Sequence, residues 1–210
     1  MTGTPIDLQT WERAQQYSFF RTFERPHYAT TVRLDVTALM RNRKASGLSP
    51  FRHAVWAIGV GLHAVPQLCV RFQEDTVQQY DQLILSSTVA LDNGEYGYGY
   101  YPFDPDRARF DAECARVMAE VRSKAGLNAN DGSLHNIAYL SCLPWLDYTA
   151  LDNALPHAND CIPRISWGKI VEKEGHFDMA MTLQVHHAIA DGLHVAQFFD
   201  ATQAALAQIA

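Results

Sequence analysis

The 210-residue sequence has few cysteines and no excess of positive charge, and each absence excludes a class of protein. Its four cysteines, Cys69, Cys114, Cys142 and Cys161, are far apart, so none forms the Cys-x-x-Cys pair typical of structural zinc sites. The 17 Lys and Arg are outnumbered by 23 Asp and Glu, for a formal net charge of −6, which argues against a nucleic-acid partner. We expect reduced thiols and no bound metal.

No segment has the composition of a membrane span or a secretion signal. The longest apolar stretch, residues 54–65, is too short to cross a bilayer. Residues 1–16 lack the apolar core of a signal peptide. We therefore expect a cytoplasmic protein with no membrane partner, built as a single domain over residues 1–210.

Hydrophobic patterning predicts interleaved helices and strands. Apolar residues at helical spacing predict helices over 10–21, 49–66, 106–124 and 193–209. Alternation predicts strands over 28–36, 83–91, 95–103, 135–144, 165–171 and 176–185, the last two joined by a turn at 172–175. The interleaving predicts a mixed α/β protein with one larger sheet.

The segment QVHHAIADGLH, residues 184–194, carries the residues best suited to chemistry. If the strand before it continues, His187 shares the apolar face of Leu183 and Val185. An imidazole among apolar neighbours stays neutral near pH 7, as a general base requires. Asp191 could orient this ring directly or hold the following turn together, and a buried structural histidine before a tight Asp-Gly turn fits equally well.

The same segment offers four candidate metal ligands, His186, His187, Asp191 and His194. Adjacent histidines on a strand point to opposite faces, which prevents both from reaching one ion. A metal site is therefore disfavoured.

The segment VHHAIADGLHVAQF resembles the signature of the trimeric chloramphenicol acetyltransferases, which contains His-His-x-x-x-Asp-Gly. More distant relatives, such as the acyltransferase domains of 2-oxoacid dehydrogenase complexes, share only the His-x-x-x-Asp-Gly core. Further matches in the family's order cover nearly the whole chain: Trp11-x-Arg13, Leu34-Asp35-Val36-Thr37, Ser141-x-Leu143-Pro144-Trp145, and Pro163 with Lys169.

This resemblance implies the family's α/β fold, a mixed α+β sandwich in which a large mixed sheet is flanked by helices. It also implies an O-acetyltransferase that uses acetyl-CoA as co-substrate, acetylates chloramphenicol, and holds no permanent cofactor. His187 is similar to the family's general base, and Ser141 to the hydroxyl that stabilises the tetrahedral oxyanion. Asp191 is similar to an acid that pairs with a buried arginine, here Arg13, and shapes the active site.

The resemblance also implies contacts to coenzyme A. Lys169 is similar to a lysine that faces the adenosine phosphate, and Ser166 replaces a threonine that positions a water. Pro50 stands where some members have a second phosphate-binding lysine, and Arg52 is the expected substitute.

The acceptor pocket is implied to include Phe20, Tyr98 and Phe103, in a homotrimer whose sites lie between subunits. The unusual alternation of tyrosine and glycine in residues 95–103 favours one alternative, an acyltransferase of this fold with another small hydroxyl or amine acceptor. A non-catalytic drug-binding module is the other alternative. Trp11 and Trp145 are expected in the core.

Individual roles also have simpler explanations. Ser141 could be an ordinary strand residue, Arg13 a solvated helix residue, and Lys169 a surface residue.

Overall fold

The computed structural model describes residues 3–73, 76–124 and 126–209. Within these ranges the strands, numbered in chain order, are β1 (Thr4–Pro5), β2 (His27–Asp35), β3 (Val70–Gln73), β4 (Thr76–Gln79), β5 (Ile84–Ala90), β6 (Tyr96–Pro102), β7 (Ile137–Cys142), β8 (Arg164–Trp167), β9 (Val171–Lys173) and β10 (His176–His186). The helices are α1 (Ala14–Phe20), α2 (Thr37–Ser46), α3 (Pro50–His63), α4 (Arg107–Ser123) and α5 (Gly192–Ala207), with a short 3-10 helix at Pro66–Cys69.

One mixed sheet of seven described strands carries the fold, in the order β2-β10-β8-β7-β5-β6 with β9 beside β10. Strands β5, β7 and β8 run parallel, and the other pairs are antiparallel. The 11-residue strand β10 contacts β2, β8 and β9, so it connects the two halves of the sheet. This arrangement confirms the predicted mixed α/β class. Strands β1, β4 and β3 form a separate small sheet.

Helices α3 and α5 pack together over the large sheet. α3 begins where Oγ of Ser49 accepts a hydrogen bond from the backbone N–H of Arg52 (3.3 Å), with Pro50 at the first helical position. Gly61 allows close approach of α5, because a Cβ there would lie 3.0 Å from Cδ2 of Phe198. The buried core lies between these helices and the sheet.

The Tyr-Gly alternation of β6 has a packing explanation. A Cβ at Gly97 would lie 2.8 Å from Cγ1 of Val121, so only glycine lets β6 lie against α4. Tyr98 and Tyr100 therefore point to the opposite face of the sheet.

Two predictions are wrong, the start of the first helix and the continuity of the strand over 165–171. α1 begins at Ala14, because Thr10 lies in a turn where its Oγ1 bonds Asp7 and it caps no helix. The strand predicted over 165–171 is split into β8 and β9. Gly168 lies at the break, where a Cβ would be 2.6 Å from the carbonyl oxygen of Leu146, so the chain departs from the sheet there to pack against that segment.

The two tryptophans expected in the core, Trp11 and Trp145, differ in how much of each side chain is exposed. Trp11 is half-buried and packs edge-on against Tyr17, with ring centroids 5.7 Å apart. The prediction for Trp145 is wrong, since it is 80% exposed in the loop after β7. No described helix is long and apolar enough to cross a membrane.

Candidate active site

One arginine ties the end of β10 to the start of α5. Arg13 is 4% exposed and donates from Nη1 to Oδ2 of Asp191 at 2.9 Å. It also donates to the carbonyl oxygens of His187 (3.2 Å) and Ala188 (3.3 Å). The predicted Arg13–Asp191 pair is therefore present, and Arg13 is a buried clamp on residues 187–191 rather than a solvated residue.

The carboxylate of Asp191 stabilises the turn between β10 and α5, and no hydrogen bond joins it to the His187 ring. Within the described chain its carboxylate accepts from Arg13, from the backbone N–H of Leu193 (3.2 Å) and from Nδ1 of His194 (2.7 Å). Nδ1 of His194 also lies 3.2 Å from the amide nitrogen of Asp191, but one nitrogen cannot donate and accept together, and the shorter contact makes it the carboxylate's donor. Burial would raise the pKa of Asp191, but the bonds from Arg13 and His194 outweigh it and lower the pKa to about 2.

His187 lies among aromatic side chains, as the alternation predicts. Its ring stacks on Phe20 with centroids 4.0 Å apart and planes 6° from parallel, and it lies 4.7 Å from Tyr28. Its backbone N–H donates to the carbonyl of Pro26 at 2.8 Å. Nδ1 is buried and has no hydrogen-bond partner among the described residues.

His186 points away from His187 into another environment. It is 1% exposed, and its Nδ1 accepts from the backbone N–H of Ala188 at 3.1 Å. Burial lowers the pKa of His186 to about 3, so this ring is neutral. Among residues 3–73, 76–124 and 126–209, no three His, Cys, Asp or Glu side chains are grouped to hold a metal ion.

Ser141 belongs to a row of hydroxyl side chains across the large sheet. The register places Ser141 beside Ser166, Ser166 beside Thr182, and Thr182 beside Thr31. The hydroxyls of Thr31 and Thr182 are 2.7 Å apart, and Thr182 donates to the hydroxyl of Tyr148 at 3.3 Å. The row is therefore on one face of β7, β8, β10 and β2.

Ser141 and His187 do not meet within one chain. His187 is five residues beyond Thr182, which is roughly 16 Å along an extended strand, and β7 is two strands from β10. The side chains also lie on opposite faces, because the His187 ring contacts Tyr28, which pairs with Val185, and Val185 and Thr182 point to opposite faces of β10. The predicted residues thus form two groups: Arg13, Phe20, His187 and Asp191 in one, and Tyr98, Ser141 and Ser166 in the other.

The second group lines a cavity of about 370 Å³, here called the hydroxyl cavity. Its walls are Ser86, Thr88, Tyr98, Tyr139, Leu140, Ser141, Asn153, Ala154, Arg164, Ile165 and Ser166. Tyr98 is thus in contact with the same space as Ser141. Ser86 and Asn153 carried no sequence signal, because neither belongs to a motif.

Lys169 lines a different cavity of about 380 Å³, here called the apolar cavity. Its walls are Leu39, Met40, Arg43, Pro50, Phe51, Ala54, Cys142, Pro144, Trp167, Gly168, Lys169, Ile170 and Met179. Ser141 and Ser166 line the hydroxyl cavity while their neighbours Cys142 and Trp167 line this one. The two cavities therefore lie on opposite faces of the ends of β7 and β8.

Two expectations fail in this region. Arg52 does not reach the apolar cavity, because its guanidinium bonds both oxygens of Asp111 at 2.7 and 3.1 Å. Arg43, from α2, lines the cavity instead. Phe103 lines neither cavity. It is 6% exposed and stacks on His63 in the core, with ring centroids 4.3 Å apart.

Comparisons with known proteins agree on one family. The family model described as chloramphenicol acetyltransferase matches residues 1–203. The chain is 28% identical over 210 residues to a chloramphenicol acetyltransferase of Streptomyces acrimycini, covering 98% of this chain and 95% of that one. It is 25% identical to the Clostridium perfringens protein of that name, over 94% of this chain and 92% of that one.

Solved structures share the fold. A chloramphenicol acetyltransferase superposes with a TM-score of 0.86 at 24% identity, covering 98% of this chain and all of that one. A probable dihydrolipoamide acetyltransferase from Listeria monocytogenes gives a TM-score of 0.69 at 17% identity, covering 100% of this chain and 96% of that one. At these identities the likeness bears on the fold alone.

Proposed function

The chain belongs to the chloramphenicol acetyltransferase family and is an acyltransferase, and from this membership we propose that it transfers the acetyl group of acetyl-CoA to a hydroxyl of chloramphenicol or another small acceptor. The observation that carries the proposal is the clamp of Arg13 on His187 and Asp191. This clamp fixes the backbone that carries the His187 imidazole. The ionised carboxylate of Asp191 already accepts three hydrogen bonds.

The proposed reaction needs His187 as its base. His187 takes the proton of the acceptor hydroxyl as that oxygen bonds to the thioester carbonyl carbon. Ser141 donates a hydrogen bond to the resulting oxyanion. The carbon–sulfur bond then breaks and the proton passes from His187 to sulfur, which yields the acetyl ester and the coenzyme A thiol. No covalent acyl-enzyme is involved.

The apolar cavity is the proposed site for part of coenzyme A. Of its thirteen lining residues only Arg43 and Lys169 are charged, and these two cations suit the phosphates of coenzyme A. The hydroxyl cavity is proposed to hold the acceptor. Since Ser141 and His187 are on opposite faces of one chain, the complete site needs His187 from one subunit and Ser141 from another, in a homotrimer.

The first test is thiol release from acetyl-CoA with and without chloramphenicol. We expect His187→Ala to lose roughly 10³-fold in kcat, because the base is gone, with the thermal unfolding temperature unchanged. His176→Ala is the matched control, since that histidine is exposed at the start of β10. Substantial turnover by His187→Ala would contradict the base assignment.

A second test concerns Ser141. Loss of one oxyanion donor costs about 10²-fold in kcat in comparable sites, with KM little changed. We expect this pattern in Ser141→Ala and normal kinetics in Ser123→Ala, an exposed serine on α4. An unchanged kcat would remove Ser141 from the mechanism.

The polar walls of the hydroxyl cavity favour a second candidate acceptor, a small hydroxyl compound other than chloramphenicol. His187-dependent release with another hydroxyl compound, and none with chloramphenicol, would keep the reaction and change the acceptor. Turnover of either kind would exclude a purely drug-binding role.

A further inference from the structure

The hydroxyl cavity contains two buried polar atoms that make no hydrogen bond within the described part of the chain. Oγ of Ser86 and Nδ2 of Asn153 are shielded from solvent and have no hydrogen-bond partner among the residues that the structure describes. Ser86 is 1% exposed, on β5 opposite Tyr139 of β7. Buried polar groups in folded proteins are nearly always paired, so two unpaired atoms on one cavity indicate that a ligand pairs with them.

Asn153 is held with its amide nitrogen as the unengaged end. Its backbone N–H donates to Oε1 of Gln184 at 2.8 Å, which fixes the loop against β10. Its Oδ1 accepts from Oγ of Ser166 at 3.3 Å. Nδ2 is therefore a hydrogen-bond donor without an acceptor among the described residues. The hydroxyl of Ser86 can also donate a hydrogen bond. Both atoms suit an oxygen on the ligand.

The rest of the cavity wall is polar as well. Eight of its eleven lining residues carry a polar side chain, and Tyr98 and Tyr139 add aromatic rings. The apolar cavity on the other face has only two charged residues among thirteen. Rings combined with several hydroxyls and an amide are suited to a small molecule that bears many hydroxyl groups.

We propose that the acceptor is a polyhydroxylated small molecule, and that Ser86 and Asn153 bind an oxygen of it other than the one that is acetylated. The inference rests on the proposed function, because it names the acceptor class of the same site. A compound that puts an apolar group here leaves both atoms unpaired, and sites built to hydrogen-bond their substrate discriminate strongly against such compounds.

The test compares two nitrophenyl compounds that each carry a primary hydroxyl, chloramphenicol and 4-nitrophenyl β-D-glucopyranoside. Beyond the primary hydroxyl, the glucoside carries three ring hydroxyls, whereas chloramphenicol carries one secondary hydroxyl. We expect Asn153→Leu, which keeps the volume and removes the donor, to lower the glucoside-to-chloramphenicol ratio of kcat/KM at least tenfold, mainly through KM. Ser86→Ala should change the ratio in the same direction. Asn159→Leu, at an exposed asparagine of the same loop, is the control that should leave it unchanged.

Calorimetric binding on the His187→Ala background repeats the comparison without turnover. A ratio of affinities that stays within twofold in both Asn153→Leu and Ser86→Ala would overturn the inference, and so would failure of the glucoside to bind. Failure of the proposed function gives a different result, in which no acceptor elicits thiol release that depends on His187.

Discussion

At the scale of single residues, the apolar cavity distinguishes two arginines that lie nine positions apart. Arg52 is occupied by a bidentate pair with Asp111, whereas Arg43 lines the cavity together with Lys169. A guanidinium already paired with a carboxylate has few donors left for a phosphate. In the proposed function, Arg43 is therefore the side chain expected to contact the coenzyme A phosphates, in place of the lysine that the resemblance implies at position 50.

This assignment predicts opposite behaviour for two variants. Arg43→Gln should raise KM for acetyl-CoA about tenfold with kcat unchanged, and the effect should shrink at high salt. Arg52→Gln should leave KM alone and cost about 1 kcal/mol of stability, because its pair is partly exposed. Steady-state kinetics and urea unfolding separate the two. A KM for acetyl-CoA that is raised in Arg52→Gln and unchanged in Arg43→Gln would refute the assignment.

Motif residues could be placed from the sequence, while residues that complete the cavities could not. Arg13, His187 and Asp191 are in motifs, and their predicted neighbourhood is present. Arg43 and Asn153 are in segments without a recognisable pattern, and only the folded chain brings them to a cavity. Phe103 shows the opposite failure, since a sequence resemblance does not say whether an aromatic ring faces a cavity or the core, and this ring is buried in the core.

At the scale of secondary-structure elements, the Arg13–Asp191 pair joins the start of α1 to the cap of α5. The pKa of Asp191 is lowered from 3.8 to about 2, so its charge stabilises the fold above pH 4, and this stabilisation is lost as pH falls from about 4 to about 2. Asp191→Asn lacks this titration and leaves buried Arg13 without its carboxylate.

We expect Asp191→Asn to lower the free energy of unfolding at pH 7 by about 2 kcal/mol, less than for a fully buried pair because Asp191 is 39% exposed. The difference in the free energy of unfolding between Asp191→Asn and wild type should narrow as pH falls from 5 to 3. Urea unfolding across this pH range measures that difference. A gap that is constant with pH would show that the carboxylate charge contributes nothing.

Long, strongly patterned elements were predictable and short ones were not. α3, with its cap at Ser49, and α4, with its cap at Asp106, lie where their patterns predict them. The four-residue strands β3 and β4 and the weakly amphipathic α2 were not predicted, since so few residues give no reliable period.

At the scale of the whole molecule, the separation of His187 from Ser141 makes subunit exchange informative. In the proposed homotrimer, an equimolar mixture of His187→Ala and Ser141→Ala subunits contains interfaces that pair an intact His187 with an intact Ser141. If trimers form at random, about a quarter of the sites are intact.

We therefore expect two variants that are each nearly inactive to regain about a quarter of wild-type turnover after they are unfolded and refolded together. Each variant refolded alone is the control. No recovery, with trimers present by light scattering, would place both residues in one subunit.

Burial of the four cysteines has a consequence for the proposed acetyl transfer from a thioester. Burial raises the pKa of Cys69 to about 11, of Cys114 to about 12 and of Cys142 to about 11, and it also raises the pKa of Cys161. Only a thiolate attacks a thioester. Cys142, although it lines the apolar cavity beside Ser141, is protonated at neutral pH. The chain's own sulfur thus does not compete with the acceptor for the acetyl group, and transfer is not diverted into self-acetylation.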